Sequence, residues 1–193
     1  VSLANEEVFI FHQEAFADRV ELERALHHLK DHVKGFHPIE ILSEDISLDN
    51  LVSSYLLNSQ LITVKNNEMM MLLPEEVQSH PNCMRWLDEI KTSSPIKHHE
   101  FVDIRQSMMN GGGPACLRFK AVVNNDEIDQ LNKKFLLSPK KLMDLRALVS
   151  KHYRDKLNPE DLLDIKLMQE SYTFLDELTQ LLDLGTLYNF QKN

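Results

Sequence analysis

The first 123 residues alternate short apolar runs with amphipathic helical stripes, whereas residues 124–193 carry helical stripes only. Residues 8–11 are a continuous apolar run, which predicts a strand buried on both faces, with a raw sheet edge as the alternative because the chain starts so close to it. Residues 15–33 carry the apolar stripe of a helix, and Gly35 stands where a left-handed C-cap residue belongs. Residues 39–42 predict the next strand.

A second block repeats this order of elements. Ser47 is placed to cap a short helix, and residues 58–64 and 68–73 predict two strands joined by a turn at 65–67. Cys83, Trp86, Leu87 and Ile90 form the apolar stripe of a helix, which indicates a structural role for Cys83. Residues 98–104 alternate like a strand. A strand-strand-helix-strand pattern is therefore clear over 58–104 and partial over 7–42.

A glycine-rich segment lies between the strand predicted at 98–104 and another alternating run at 117–123. Three of the five glycines of the chain are consecutive, Gly111 to Gly113. Beyond residue 123 the pattern predicts helices only, one starting at Ser138-Pro139 and another at Asn158-Pro159 that ends at Gly185.

Candidate chemistry concentrates in the glycine-rich segment. Glycine backbone amides can approach a ligand closely, and the Asn110 amide both donates and accepts hydrogen bonds. Cys116 would share one strand face with Arg118 and Lys120, and positive neighbours favour the nucleophilic thiolate. The same residues also fit a hairpin-type loop without a catalytic role, followed by a buried cysteine. A phosphate-binding loop fits less well, because no Gly-Lys-Ser/Thr follows the glycines.

Charge and composition exclude several classes of function. The net charge of −9 argues against a nucleic-acid surface. No apolar stretch approaches the roughly 20 residues of a membrane span, and the start of this sequence lacks the charged and apolar regions of a signal peptide. We therefore expect a cytoplasmic protein with reduced cysteines. His28 and His32 have a helical spacing that can bind a metal ion. Because no third ligand is near in sequence, a solvated helix face is the preferred interpretation.

A resemblance narrows these alternatives. The segment that carries it is Asp103-Ile-Arg-Gln-Ser-Met-Met-Asn-Gly-Gly-Gly-Pro-Ala-Cys-Leu-Arg118. It closely resembles the cysteine-nucleophile segment of the N-succinylarginine dihydrolases, enzymes of bacterial arginine degradation. Five further stretches resemble that family in the same order: 11–16, 52–61, 70–75, 152–155 and 181–185. The resemblance spans the chain but only the C-terminal part of the family's length. We therefore expect a fragment that begins just past the family's catalytic histidine.

The resemblance implies an α/β fold of ββαβ units from a fivefold pseudosymmetric α/β propeller, the pentein fold. Residues 1–193 would be the C-terminal part of one catalytic domain, with ββαβ-type units over about 1–123 and helices over 124–193. Self-association of such an incomplete propeller, including a homodimer, is expected.

The resemblance also implies a reaction. N2-succinylarginine would be hydrolysed to N2-succinylornithine, two ammonia and carbon dioxide without metal or cofactor. Cys116 would be the nucleophile and Asn110 a substrate-binding residue, while the family's catalytic histidine and glutamate would lie upstream. His12 and His37 match non-catalytic stretches of the family. An arginine deiminase or amidinotransferase type of enzyme, or a non-catalytic interaction module, are the alternatives.

Overall fold

The computed structural model of the chain describes residues 2–65, 68–109 and 121–192. It divides into two compact units, residues 1–120 and 121–193. Both sheets of the described part lie in the first unit and have three strands each. None of the described helices is both long enough and apolar enough to cross a membrane.

The first sheet contains β1 (Ser2–Asn5), β2 (Val8–His12) and β3 (His37–Ile41). β2 pairs antiparallel with β1 and, after the helix α1 (Arg19–His32), parallel with β3. The predicted strands are confirmed, and the alternative of a raw edge at β2 is wrong because β2 is paired on both sides. β1 covers that edge, so this block is a complete ββαβ unit.

The second sheet has the same connectivity. It contains β4 (Gln60–Thr63), β5 (Met69–Pro74) and β6 (Ile96–Val102), with the helix α3 (Pro81–Ser93) before β6. β5 pairs antiparallel with β4 and parallel with β6. The predicted hairpin is confirmed, although the middle of its turn, residues 66–67, lies outside the described residues.

Helix boundaries in the first unit follow their capping residues. α1 begins at Arg19 rather than near Ala15, because the Asp18 carboxylate accepts the Glu21 backbone N–H at 2.9 Å. At its other end Val33, in an extended conformation, is the C-cap, and Gly35 takes a positive φ of 80° in the turn that follows. Ser47 caps α2 (Leu48–Ser54) as predicted, with 3.3 Å from its Oγ to the Asn50 backbone nitrogen.

One hydrophobic core contains residues of both sheets. Val8 and Ile10 of β2 contribute from one sheet, and Leu61 of β4 and Met71 of β5 contribute from the other. The whole predicted stripe of α3 is buried in it: Cys83, Trp86, Leu87 and Ile90. The last residues of β1 and β4 also meet, since the Asn5 side-chain amide donates to the Thr63 hydroxyl at 2.8 Å.

After β6 the chain forms a short helix, α4 (Arg105–Met109), and the described residues stop there. The prediction that the strand at 98–104 leads directly into the glycine-rich segment is therefore wrong. The strand predicted at 117–123 lies mostly outside the described residues. Its last three residues, 121–123, have no strand conformation.

The second unit is helical in its described part, with α5 (Asn125–Gln130), α6 (Pro139–His152) and α7 (Ile165–Leu181). Ser138 caps α6 as predicted. The helix predicted from Asn158-Pro159 begins later, because the capping box of Asn158 serves a 3₁₀ turn at Pro159–Leu163 and Asp164 then caps α7. Further 3₁₀ turns lie at Leu56–Asn58, Glu75–Ser79, Lys133–Phe135 and Asn189–Gln191.

Ion pairs join α6 and the residues just after it to α7. Glu177 of α7 faces the Lys151 ammonium at 2.7 Å and His152 Nε2 at 3.1 Å. Arg154 forms two bonds with Glu170 and one with Asp164, at 2.8–3.0 Å. Because a guanidinium presents several donors in a fixed plane, this network holds the chain after α6 against the start of α7.

Candidate active site

The two residues predicted to carry the chemistry, Cys116 and Asn110, lie outside the described residues. The structure describes the elements that lead to them. α4 follows β6 and ends at Met109, one residue before Asn110. Since β5 and β6 are parallel, the carboxyl ends of both strands lie at the same edge of the sheet, and α4 follows from this edge.

A charged pair connects the two strand ends. Glu76 lies in the 3₁₀ turn that follows β5, and Arg105 is the first residue of α4, shortly after β6. Their closest atoms, Arg105 Nε and Glu76 Oε1, are 3.3 Å apart. The Arg105 backbone N–H also donates to the Asp103 carboxylate at 3.1 Å. These two contacts fix where the chain leaves β6.

The members of this pair differ in burial. The Arg105 side chain is 66% exposed, whereas the Glu76 side chain is only 20% exposed. The second carboxylate oxygen of Glu76, Oε2, is buried and has no hydrogen-bond partner among the described residues. A buried carboxylate with one free oxygen is costly in a fold. Sequence analysis missed this pair, because only the parallel pairing of β5 and β6 brings residues 76 and 105 together.

Cys83 does not fit the role of a nucleophile. It is a free thiol, fully buried, with its sulfur 3.5 Å from the Ser54 hydroxyl. Burial raises the pKa of the Cys83 thiol, and the hydrogen bond to Ser54 opposes this only in part. Since the thiolate is the reactive form, Cys83 is inert in the folded chain. The predicted structural role of this cysteine is confirmed.

The histidines of β6 occupy separate environments. His98 Nε2 lies 3.2 Å from a carboxylate oxygen of Glu68. The His99 ring packs edge-on against Phe101, with 5.2 Å between ring centres. Burial lowers the pKa of His99, and the positive charge of Lys91 lowers it further. His98 is therefore paired with a carboxylate, whereas His99 Nδ1 is buried without a hydrogen-bond partner among the described residues.

His12 is also engaged, at both ring nitrogens. Its Nδ1 accepts the Glu14 backbone N–H at 3.2 Å, and its Nε2 lies 3.0 Å from the Ile46 carbonyl oxygen. A carbonyl oxygen only accepts, so Nε2 carries the proton and the ring is neutral. This fully buried ring has no free nitrogen to act as a general base. The interpretation of His12 as non-catalytic is consistent with these contacts.

A metal centre built from three or more ligands has no support in the described ranges. They contain no group of three or more histidine, cysteine, aspartate or glutamate side chains arranged to hold a metal ion.

The geometry of the described residues defines a mixed α/β protein whose two sheets belong to ββαβ units. In the sequence, a glycine-rich segment that contains Cys116 follows β6 and α4. The family described as succinylarginine dihydrolase matches residues 1–191 of this chain. The chain therefore belongs to the succinylarginine dihydrolase family, and the resemblance seen in the sequence is confirmed.

Individual relatives agree with this assignment. The chain is 40% identical over 195 residues to the N-succinylarginine dihydrolase of Pseudoalteromonas atlantica and 41% identical over 196 residues to that of Nitrosospira multiformis. It is 40% identical over 202 residues to the same enzyme of Idiomarina loihiensis. Each alignment covers 100% of this chain but only 43% of the relative, so the chain spans less than half of the relatives' length.

Proposed function

We propose that the enzyme containing these residues hydrolyses N2-succinylarginine to N2-succinylornithine, two ammonia and carbon dioxide, and that Cys116 is its nucleophile. The observation that carries this proposal is the identity of about 40% over the whole chain to proteins named N-succinylarginine dihydrolase. The position of the glycine-rich segment in the sequence, after β6 and the short helix α4, supports it. Ligands of open α/β sheets commonly bind beyond such strand ends.

The stoichiometry requires two hydrolytic rounds at one carbon atom. In the first, the Cys116 sulfur bonds to the guanidinium carbon and ammonia leaves, which gives an amidino-thioether. Water then replaces the sulfur and leaves a urea group on the substrate. In the second round the remaining terminal nitrogen leaves as ammonia, and water releases carbon dioxide and the amine of succinylornithine. Two water molecules are consumed, and the thiol is regenerated each time.

Each round also needs proton transfer, because the leaving nitrogen must be protonated and the attacking water deprotonated. In this proposal a histidine and a glutamate from the upstream part of the family perform that transfer, and none of the residues 1–193 replaces them. Asn110 binds the substrate through its side-chain amide. Neither a metal ion nor an organic cofactor takes part.

The same proposal extends to the architecture. The two ββαβ units of the described part support membership in a fivefold α/β propeller. Residues 1–193 would then belong to one catalytic domain, with the propeller units over about 1–123 and a helical portion over 124–193. We place the enzyme in the cytoplasm as a homodimer.

The experiment measures ammonia release from N2-succinylarginine. It compares this chain, the same chain extended upstream to the length of its relatives, and Cys116→Ala and Cys83→Ala variants of each. We expect activity in the extended chain only, abolished by Cys116→Ala and retained by Cys83→Ala. Loss of activity in both cysteine variants would refute the assignment of the nucleophile.

The same assay separates the alternatives. Ammonia from free arginine but not from N2-succinylarginine would indicate a deiminase type of enzyme. Activity of the 193-residue chain alone would place the general base within these residues and overturn the upstream assignment. No activity in any chain, with intact helical circular dichroism, would favour a non-catalytic interaction module.

A further inference from the structure

The solvent-exposed side of α1 carries two histidines one helical turn apart, His28 and His32. Their rings lie 4.0 Å apart between centres, with 31° between the ring planes. Both residues are exposed, so their rings can be reached from solvent. Residues four apart on a helix share a face, so the two side chains are held next to each other by the backbone.

The ring of His32 is already oriented. Its Nδ1 lies 2.8 Å from the His28 backbone carbonyl oxygen, and since that oxygen only accepts, Nδ1 carries the proton. The neutral ring then has its free electron pair on Nε2, which points away from the backbone. Histidines that bind metals are typically held in this way, by an N–H donated from the other ring nitrogen to a carbonyl or carboxylate.

The separation of the rings fits one shared ion after a small movement. Zinc–nitrogen bonds are about 2.0–2.1 Å long, so two imidazoles at tetrahedral angles have their ring centres roughly 5 Å apart. The rings of His28 and His32 must therefore spread by about 1 Å from their observed 4.0 Å. Exposed side chains can make this change without moving α1.

The surrounding charges are mixed. Asp31 lies three residues after His28 on the same face, and its carboxylate oxygen is 3.9 Å from His27 Nε2. Its negative charge favours a bound cation, whereas Arg24, one turn before His28, disfavours one. Since no three-ligand group is present in the described residues, the two imidazoles would be the only protein ligands and water would complete the coordination.

We propose that His28 and His32 form a surface site for one divalent transition-metal ion, independent of the hydrolytic reaction. Imidazole ligands bind such ions in the order Co²⁺, Ni²⁺, Cu²⁺ of increasing affinity, with Zn²⁺ below Cu²⁺. Mg²⁺ and Ca²⁺ prefer oxygen ligands and do not compete. The spacing of the two histidines in the sequence did not decide between a metal site and a solvated helix face. The adjacent rings and the fixed position of the His32 proton support the metal site.

The test titrates Ni²⁺ into the 193-residue chain carrying Cys116→Ala, which removes one possible thiolate ligand. Calorimetry gives affinity and stoichiometry, and broadening of histidine ring signals in NMR spectra by the paramagnetic complex identifies the ligands. We compare His28→Ala, His32→Ala and the double variant with His27→Ala as the matched control. Helical circular dichroism verifies that α1 persists in each variant.

We expect one ion per chain. In each of the two single variants we expect the affinity for Ni²⁺ to fall by at least about tenfold, because the remaining histidine then binds the ion without a second imidazole held beside it. The double variant should bind no better than either single variant, and His27→Ala should change affinity less than about twofold. The proposal is overturned if His28→Ala and His32→Ala leave the titration unchanged, or if His27→Ala lowers affinity as much as they do.

Discussion

Replacement of Leu61 by alanine tests whether the two sheets share one core. Leu61 lies on β4, is fully buried, and belongs to the same core as Ile10 of β2. The substitution removes three carbon atoms, worth about 0.8 kcal/mol each in burial free energy, so about 2.4 kcal/mol is lost before any cavity forms. A partly relaxed cavity adds about 1 kcal/mol, for a total of about 3–4 kcal/mol.

Urea unfolding measures this loss, which is large against a typical domain stability of about 5–15 kcal/mol. The control is Leu42→Ala, at a position 38% exposed, which should lose about 1 kcal/mol or less. Hydrogen exchange then locates the effect. With a shared core, protection of the amides in β2 and β5 falls together in Leu61→Ala. Faster exchange confined to β4, β5 and β6 would refute the shared core.

Three further predictions concern single side chains. Thiol reagents should label Cys83 only when urea unfolds the chain, because burial both shields the thiol and raises its pKa; labelling at native rates would contradict this. The basic partners of Glu177 on α6 lower the pKa of its carboxyl in the folded chain. The stability that Glu177 contributes is therefore fully present above its pKa in the unfolded chain, about 4.3, and is lost as the pH falls through its lower pKa in the folded chain. Thermal melts of Glu177→Gln should accordingly show a reduced loss of stability at acid pH. Arg154→Lys should lower the melting temperature more than Arg146→Lys, since a lysine cannot form the planar double contact that Arg154 makes; equal melting temperatures would show that the network contributes nothing.

Strong local patterns predicted most of the fold. The hairpin of β4 and β5 and the helix α3 follow from alternating or periodic apolar residues, and Ser138 marked the start of α6. β1 was missed because its four residues, Ser2–Asn5, have little strand character of their own. They form a strand because β2 offers a free edge, which is a tertiary effect.

The candidate site also has one part that the sequence suggests and another part that only the fold brings together. Cys116 and Asn110 remain predictions, and the residues around them suggested both, because glycines and a cysteine in that order indicate a chemical role without any structure. Glu76 and Arg105 carry no such signal, since they are 29 positions apart in the sequence and only adjacent parallel strands bring them together. A sequence therefore suggests a candidate reactive group more readily than it suggests pairs that only the fold brings together.

The contact between Asn5 and Thr63 has a consequence for how the two ββαβ units tolerate mutation. Each residue is the last one of the first strand in its ββαβ unit, so the hydrogen bond joins positions that correspond to each other. The bond needs the donor from one sheet and the acceptor from the other, so losing either side chain removes it from both. A substitution at one strand end therefore changes the corresponding strand end of the other sheet as well.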